Sequence, residues 1–253
     1  MNSIHHRKYI KSKCFFDDII TNYDIKGEDY GNQDRNSLKL FDFKGNTINV
    51  KSFKVPNVIN QIAYRFFRSS KAQRSFEYAN RLTKEGIGTP QPIAYYEYKT
   101  PLLFKKSYYI SEHLDYDLTY RELTTDFNFP NHEGVLRAFT RFTFQLHEKR
   151  INFLDHSPGN TLITKTTAGY DFALVDLNRM KFQEMSFLDR MHNFSRLTTS
   201  KEMVEVMSDE YAKVSEFDYN EVFSEMWRLT QAFQEKFHRK QRLKKLLKFW
   251  KKP

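Results

Sequence analysis

The sequence predicts an α+β chain of two lobes: an N-terminal antiparallel five-stranded sheet with one helix, then a mainly helical C-terminal lobe. Three observations predict it. Short segments of alternating polar and apolar residues, separated by turn residues, fill much of the first 110 positions. One amphipathic segment, Ala63 to Lys84, interrupts them. Beyond position 111 the apolar spacing changes to the period of helices. The expected divisions are 1–110, 111–235 and a basic amphipathic tail at 236–253.

Phe15 to Ile25 mixes aromatic and β-branched residues and fits either a first strand or a short helix. A polar loop, 27–36, follows. Ser37 to Phe43 and Thr47 to Phe53 alternate as strands, with Gly45-Asn46 as the hairpin turn between them. In the helix over Ala63–Lys84, the residues Phe66, Phe67, Phe76, Ala79 and Leu82 supply apolar positions, and Gly86 closes it. After the breaker cluster Gly86 to Pro92 come two more antiparallel strands, Ile93–Tyr98 and Ser107–Glu112. Thr119 to Leu123 is a short helical piece. Asn131 to Arg150 is a long helix, with Asn131 as its N-cap and Val135, Phe139, Phe142 and Leu146 on one face. Residues 187–199 and 216–250 read as further helices.

The 253 residues suit one large domain or two lobes, and a 40% hydrophobic content supplies a core. A single cysteine, Cys14, rules out an internal disulfide and fits a reducing compartment. No apolar run reaches the roughly 18 residues that span a bilayer, and the basic start, Met1 to Lys13, leads into no signal-like stretch. A cytoplasmic protein is expected. Of the net charge of +10, nine positive charges lie between Lys236 and Lys252 with no acid among them, which leaves a near-neutral body.

The chemistry centres on Asp155-His156-Ser157-Pro158-Gly159-Asn160, a polar hexad between the apolar runs Ile151–Leu154 and Thr161–Ile163. Downstream, the apolar strand Phe172–Val175 ends in Asp176. Phosphoryl transfer from ATP needs a carboxylate to accept the proton of the attacking hydroxyl, and an amide oxygen and a second carboxylate to hold Mg²⁺. Asp155, Asn160 and Asp176 fill those places in order and spacing. Taken singly, each is an ordinary turn residue.

Lys51, in the second strand of the hairpin, is either a solvated strand lysine or the lysine that holds the α- and β-phosphates. The second role needs a glutamate on the next helix. Glu77 is the only acid between Lys51 and Glu85, and its alternative is a surface pair with Arg81. Ser111 to Leu114, with Glu112 and His113 at its centre, is the expected hinge whose backbone groups meet an adenine. Loop 27–36 lies where a phosphate-covering loop belongs, but its two glycines, Gly27 and Gly31, are a weak signal for one.

Val50-Lys51, Arg74-Ser75-Phe76-Glu77, Gly88-Thr89-Pro90-Gln91-Pro92-Ile93-Ala94, the hexad at 155–160 and Val175-Asp176-Leu177-Asn178-Arg179 together resemble the lipopolysaccharide core kinases. That family includes the 3-deoxy-manno-octulosonic acid (Kdo) kinases and the heptose kinases. The resemblance covers roughly residues 35 to 200, and Asp-Leu-Asn-Arg in place of Asp-Phe-Gly is its distinctive mark. Ser-Pro-Gly-Asn is similar to small-molecule phosphotransferases that modify aminoglycosides or choline.

The resemblance implies a protein-kinase-like fold and ATP-dependent phosphorylation of a Kdo or heptose hydroxyl in the inner core of lipopolysaccharide. It implies Asp155 as base, Asn160 and Asp176 on Mg²⁺, Lys51 on the phosphates and Glu77 as the anchor of Lys51. Phe153 stands where kinases usually carry a supporting histidine. Only residues 179 to 186 separate Asn178 from the expected helix at Phe187, with no Ala-Pro-Glu-like stretch. That favours a sugar or small substrate over a peptide.

The tail places Leu243, Leu246, Leu247 and Trp250 on one face and most Lys and Arg elsewhere, as an interfacial membrane helix does. The expected partners are the lipid A core sugar acceptor and an anionic membrane surface through 236–253, at the inner face of the inner membrane, with no nucleic acid. Two other readings of the chain stay open: a phosphotransferase acting on another small alcohol, and a catalytically inactive kinase-like binding module.

Overall fold

The structure is a computed structural model that describes residues 1–31 and 36–249, with side chains through residue 246. It divides into two compact units, Met1–Asp115 with Ala173–Arg179, and Tyr116–Phe172 with Met180–Pro253.

The first unit runs β1 (Asn2–His5), α1 (Lys13–Thr21), β2 (Glu28–Asp29), β3 (Asn36–Phe43), β4 (Asn46–Phe53), α2 (Val58–Phe66), α3 (Lys71–Lys84), β5 (Pro92–Lys99) and β6 (Phe104–Glu112). Its antiparallel sheet has the order β1-β5-β6-β4-β3-β2. The sheet therefore has six strands, not the five expected: β1 and the two-residue β2, which falls in the expected loop 27–36, are additional. Asn2-Ser3-Ile4-His5 has no apolar alternation, and β5 recruits it through the register Asn2↔Glu97 to His5↔Ala94. The segment at Phe15 resolves as helix α1, which buries Phe16, Ile19 and Ile20.

Period-two alternation gives the sheet two different faces. Ile48 and Val50 of β4, with Ala94, Tyr96, Tyr108 and Ile110, pack on α1. Phe53 and Tyr95 lie in a second cluster with Ala72 and Phe76 of α3. Lys51 has the parity of Phe53 and stands opposite Tyr109 of β6. The β3–β4 turn is Lys44-Gly45, with φ of 56° and 80°, one residue earlier than expected.

The helix expected over Ala63–Lys84 is two helices. Asn57 caps α2, its side chain accepting from Asn60 N at 3.0 Å. Ser70 caps α3, accepting from Gln73 N at 3.0 Å. Each side-chain oxygen satisfies a backbone N–H that a helix start leaves unpaired, so the break falls where the capping residue is.

The second unit runs β7 (Leu118–Thr119), α4 (Tyr120–Thr125), α5 (His132–Glu148), β8 (Ile151–Phe153), β9 (Thr161–Thr166), β10 (Gly169–Leu174), β11 (Met180–Phe182), α6 (Phe187–Phe194), α7 (Lys201–Ser215) and α8 (Tyr219–Phe249). Its core gathers Tyr120 and Leu123 of α4, Phe139 of α5, Phe194 of α6, Tyr211 of α7 and Met226 of α8. Arg137 fastens α5 to α7 through Asp209 at 2.6 Å and Glu210 at 3.0 Å.

Asn131 is the N-cap residue of α5, as expected, and its carbonyl accepts from Val135 N at 3.0 Å, but its side chain makes no capping bond: its backbone is left-handed at φ 58°, and its amide donates to the Tyr170 hydroxyl at 3.0 Å. α7 is an additional helix, not among those expected, although Met203, Val204, Met207 and Tyr211 fall on one helical face and are buried. α8 runs unbroken into the basic tail, and residues 235–246 are all exposed, so that over these residues the tail does not dock on its own lobe. Leu243 and Leu246 of the expected apolar face are among them. The Leu247 side chain and Trp250 lie outside the described residues.

Phe139 is fully buried, its ring 4.1 Å from Tyr120 and 5.3 Å from His156. Phe139→Ala is expected to lower the unfolding free energy by about 3–5 kcal/mol, read from the urea midpoint.

Candidate active site

In the first unit, Lys51 Nζ donates to Asp176 Oδ1 at 2.8 Å. The same oxygen accepts from the Asn178 amide at 2.7 Å. Asp176 has φ 57°, a left-handed backbone that Asp tolerates better than most residues. Strain of this kind persists where the surroundings enforce it. Here they do: the Gly88 carbonyl accepts from Leu174 N at 2.8 Å, and Thr89 Oγ1 donates to the Leu174 carbonyl at 2.9 Å. Arg74 of α3 reaches the Asn178 carbonyl at 2.9 Å and the Ser69 carbonyl at 2.6 Å. The motif segments at 74–77, 88–94 and 175–179 therefore meet around Asp176.

Two expectations are corrected. Glu77 does not hold Lys51. Its exposed carboxylate accepts from Gln73 Nε2 at 2.8 Å, one turn back along α3, and Asp176 takes the lysine instead. Glu112 and His113 do not present their N–H groups to a ligand. Glu112 N donates to the Gln91 carbonyl at 3.0 Å and His113 N to the Thr47 carbonyl at 2.9 Å, because both residues continue the path of β6 between β5 and β4. The Glu112 side chain accepts from Tyr9 and Lys8, and His113 Nδ1 lies 3.3 Å from Asn49 Oδ1.

In the second unit, Asp155 Oδ1 accepts from Arg196 Nη1 at 2.7 Å, and the same guanidinium nitrogen donates to the Leu154 carbonyl at 3.2 Å. Asn160 Nδ2 donates to the Asp155 carbonyl at 2.8 Å, and Asn160 N donates to the Ser157 carbonyl at 2.9 Å. These bonds close the hexad on itself and leave the Asn160 amide oxygen without a donor among the described residues. Before the hexad, Asn193 of α6 donates to the Phe153 carbonyl at 2.9 Å.

Three contributors were not found from sequence. Arg196 orients the candidate base from 41 residues away in the chain, a contact that no local pattern announces. Arg121 of α4 lies so close to the loop that a Cβ on Gly159 would sit 2.7 Å from its Nη2. β7 brings it there, pairing Thr119 with Leu162 just past Asn160. His156 is the third. It is buried and stacked on Phe139, and its Nε2 lies 3.2 Å from Thr143 Oγ1. Since the Thr143 hydroxyl donates to the Phe139 carbonyl, Nε2–H is the donor to it and Nδ1 is bare. With Phe153 at the usual histidine position, His156 ties the loop to α5 from the other side of Asp155.

Among the described residues there is no group of three or more His, Cys, Asp or Glu that could hold a metal ion. The sequence model of the lipopolysaccharide kinase (Kdo/WaaP) family matches residues 55–225. The chain belongs to that family. This member is a kinase and has the protein-kinase-like fold. Among solved structures it is similar to WaaP in complex with acyl carrier protein, at 13% identity and a TM-score of 0.66, covering 94% of this chain and 99% of that one. No curated protein sequence matches it. α6 begins at Phe187, so that eight residues, 179–186, separate it from Asn178, and β11 takes three of them.

Burial, reinforced by the charges of His147 and Arg196, pushes His156 down to about 3. Burial likewise brings His147 down to about 3, although its Nε2 donates to Asn193 Oδ1 and so partly opposes the shift. Unfolded, both titrate near 6.5. Between those values the unfolded chain binds more protons than the folded one, so stability falls as pH drops below about 6.5. His156→Asn is expected to remove up to about 1.4 kcal/mol per pH unit from that slope between pH 6.5 and 5, measured by urea unfolding.

Proposed function

We propose that this kinase transfers the γ-phosphoryl group of ATP to a Kdo or heptose hydroxyl in the inner core of lipopolysaccharide. The observation that carries the reading is the Lys51–Asp176 pair at 2.8 Å, which brings together a cation for phosphate oxygens and a carboxylate for the metal. Lys51 would bind the α- and β-phosphates. Asp176 and the Asn160 amide oxygen would hold Mg²⁺, which neutralises charge on the phosphates when bound. Asp155, aimed by Arg196, would accept the proton of the attacking sugar hydroxyl through Oδ2 or Oδ1. The absence of an Ala-Pro-Glu segment supports a sugar acceptor over a peptide.

With purified protein, MgATP and Kdo-bearing lipid A, Asp155→Asn is expected to lower turnover by about 10²–10⁴-fold. Transfer at the parent rate would refute the assignment of the base.

We also propose that residues 236–253 hold the protein at an anionic membrane surface on the cytoplasmic side. No helix among the described residues is long and apolar enough to cross a membrane. The support is the exposed, acid-free basic helix, whose Lys and Arg each contribute about 1 kcal/mol near an anionic leaflet. Deleting 236–253 is expected to abolish activity on the membrane-borne acceptor and to spare activity on a soluble, truncated sugar. The structural relative was solved with acyl carrier protein, so retained activity on membranes alongside lost binding to that protein would reassign the tail.

A further inference from the structure

α2 is amphipathic with its faces reversed. Helical spacing sets Val58, Ile59, Ile62 and Phe66 on one arc of about 100°. All four are exposed, Ile59 at 79%. Phe67, at the C-cap, is 82% exposed, and Val55 extends the patch before the helix. The residue α2 buries is a polar one, Gln61 at 8%, whose amide donates to the Pro56 carbonyl at 2.9 Å. A surface helix normally turns its apolar stripe to the core. Contiguous exposed apolar area of this kind marks a surface that meets something.

Charge says what. From Ser52 to Phe76 the chain carries Lys54, Arg65, Arg68, Lys71 and Arg74 and no acid. Arg65 donates to the Thr100 carbonyl, and Arg74 to backbone carbonyls, so neither is neutralised. None of the five forms an ion pair among the described residues. A second copy of the same face would set these cations against each other, which disfavours self-association. An apolar stripe with Arg65 beside it, its guanidinium 5.2 Å from the Phe66 ring, in an acid-free cationic segment matches the boundary between acyl chains and anionic headgroups.

We propose that α2 lies in the surface of an anionic bilayer, with Ile59, Phe66 and Phe67 at the headgroup–acyl boundary. This contact is separate from the basic tail and stands whether or not the catalytic reading does. It is tested with the full-length chain by co-sedimentation with phosphatidylcholine vesicles, with and without phosphatidylglycerol. The parent is expected to partition onto the mixed vesicles in preference to the neutral ones. Ile59→Ser with Phe67→Ser removes only exposed side chains, so the melting temperature should hold while partitioning weakens by about tenfold or more. Parent-like partitioning of the double variant overturns the proposal, as does failure of the parent to bind mixed vesicles. Loss of binding to acyl carrier protein in the double variant, with vesicle binding unchanged, would overturn it in favour of a protein partner.

Discussion

Burying polar side chains beneath a reactive loop is tolerable only if they satisfy one another, and the second unit depends on that constraint. His147 donates to Asn193 and accepts from the Tyr211 hydroxyl, Asn193 donates to the Phe153 carbonyl, and His156 reaches Thr143. The Asn193–Phe153 and Thr143–His156 bonds link α6 and α5 to the chain on either side of Asp155, and the two bonds of His147 tie α5 to α6 and α7. Arg196 completes the set at the surface, where its guanidinium also lies 5.5 Å from the Phe233 ring of α8. A loop tied at this many points is held in its geometry by the fold, the preorganisation that the proposed proton transfer would need.

The first unit solves a different problem. Lys51 and Asp176 are opposite charges on chain segments 125 residues apart, and each is less than one-third exposed. Partly desolvated charges of this kind need a partner, and here each is the other's. Under the proposed function, a phosphate and its metal, with the same two signs in reverse, would take the place of each partner. Glu77, one turn from any such need, pairs along its own helix instead.

Much of this was legible in the sequence because its signals are local. The strand alternation around Lys51, the hexad 155–160 and the apolar strand ending in Asp176 each carry their own period and punctuation. The failures share a cause: the deciding interaction came from elsewhere in the chain. β1 is a strand because β5 offers an edge. Ser70 ends a helix that apolar spacing alone would run through. The N–H groups of Glu112 and His113 are claimed by Gln91 and Thr47, which no pattern within 111–114 reveals. Arg196 and Arg121 reach the loop only through the tertiary path of α6 and the pairing of β7 with β9.

The shortness of the chain between Asn178 and α6 has a consequence for control. Of residues 179–186, three are paired into β11 against β8, and Ser186 is fixed as the cap of α6 through Asp189. No stretch there is long enough to swing between an inhibiting and a permitting posture. In this kinase the segment is part of the fixed fold rather than a separate switch.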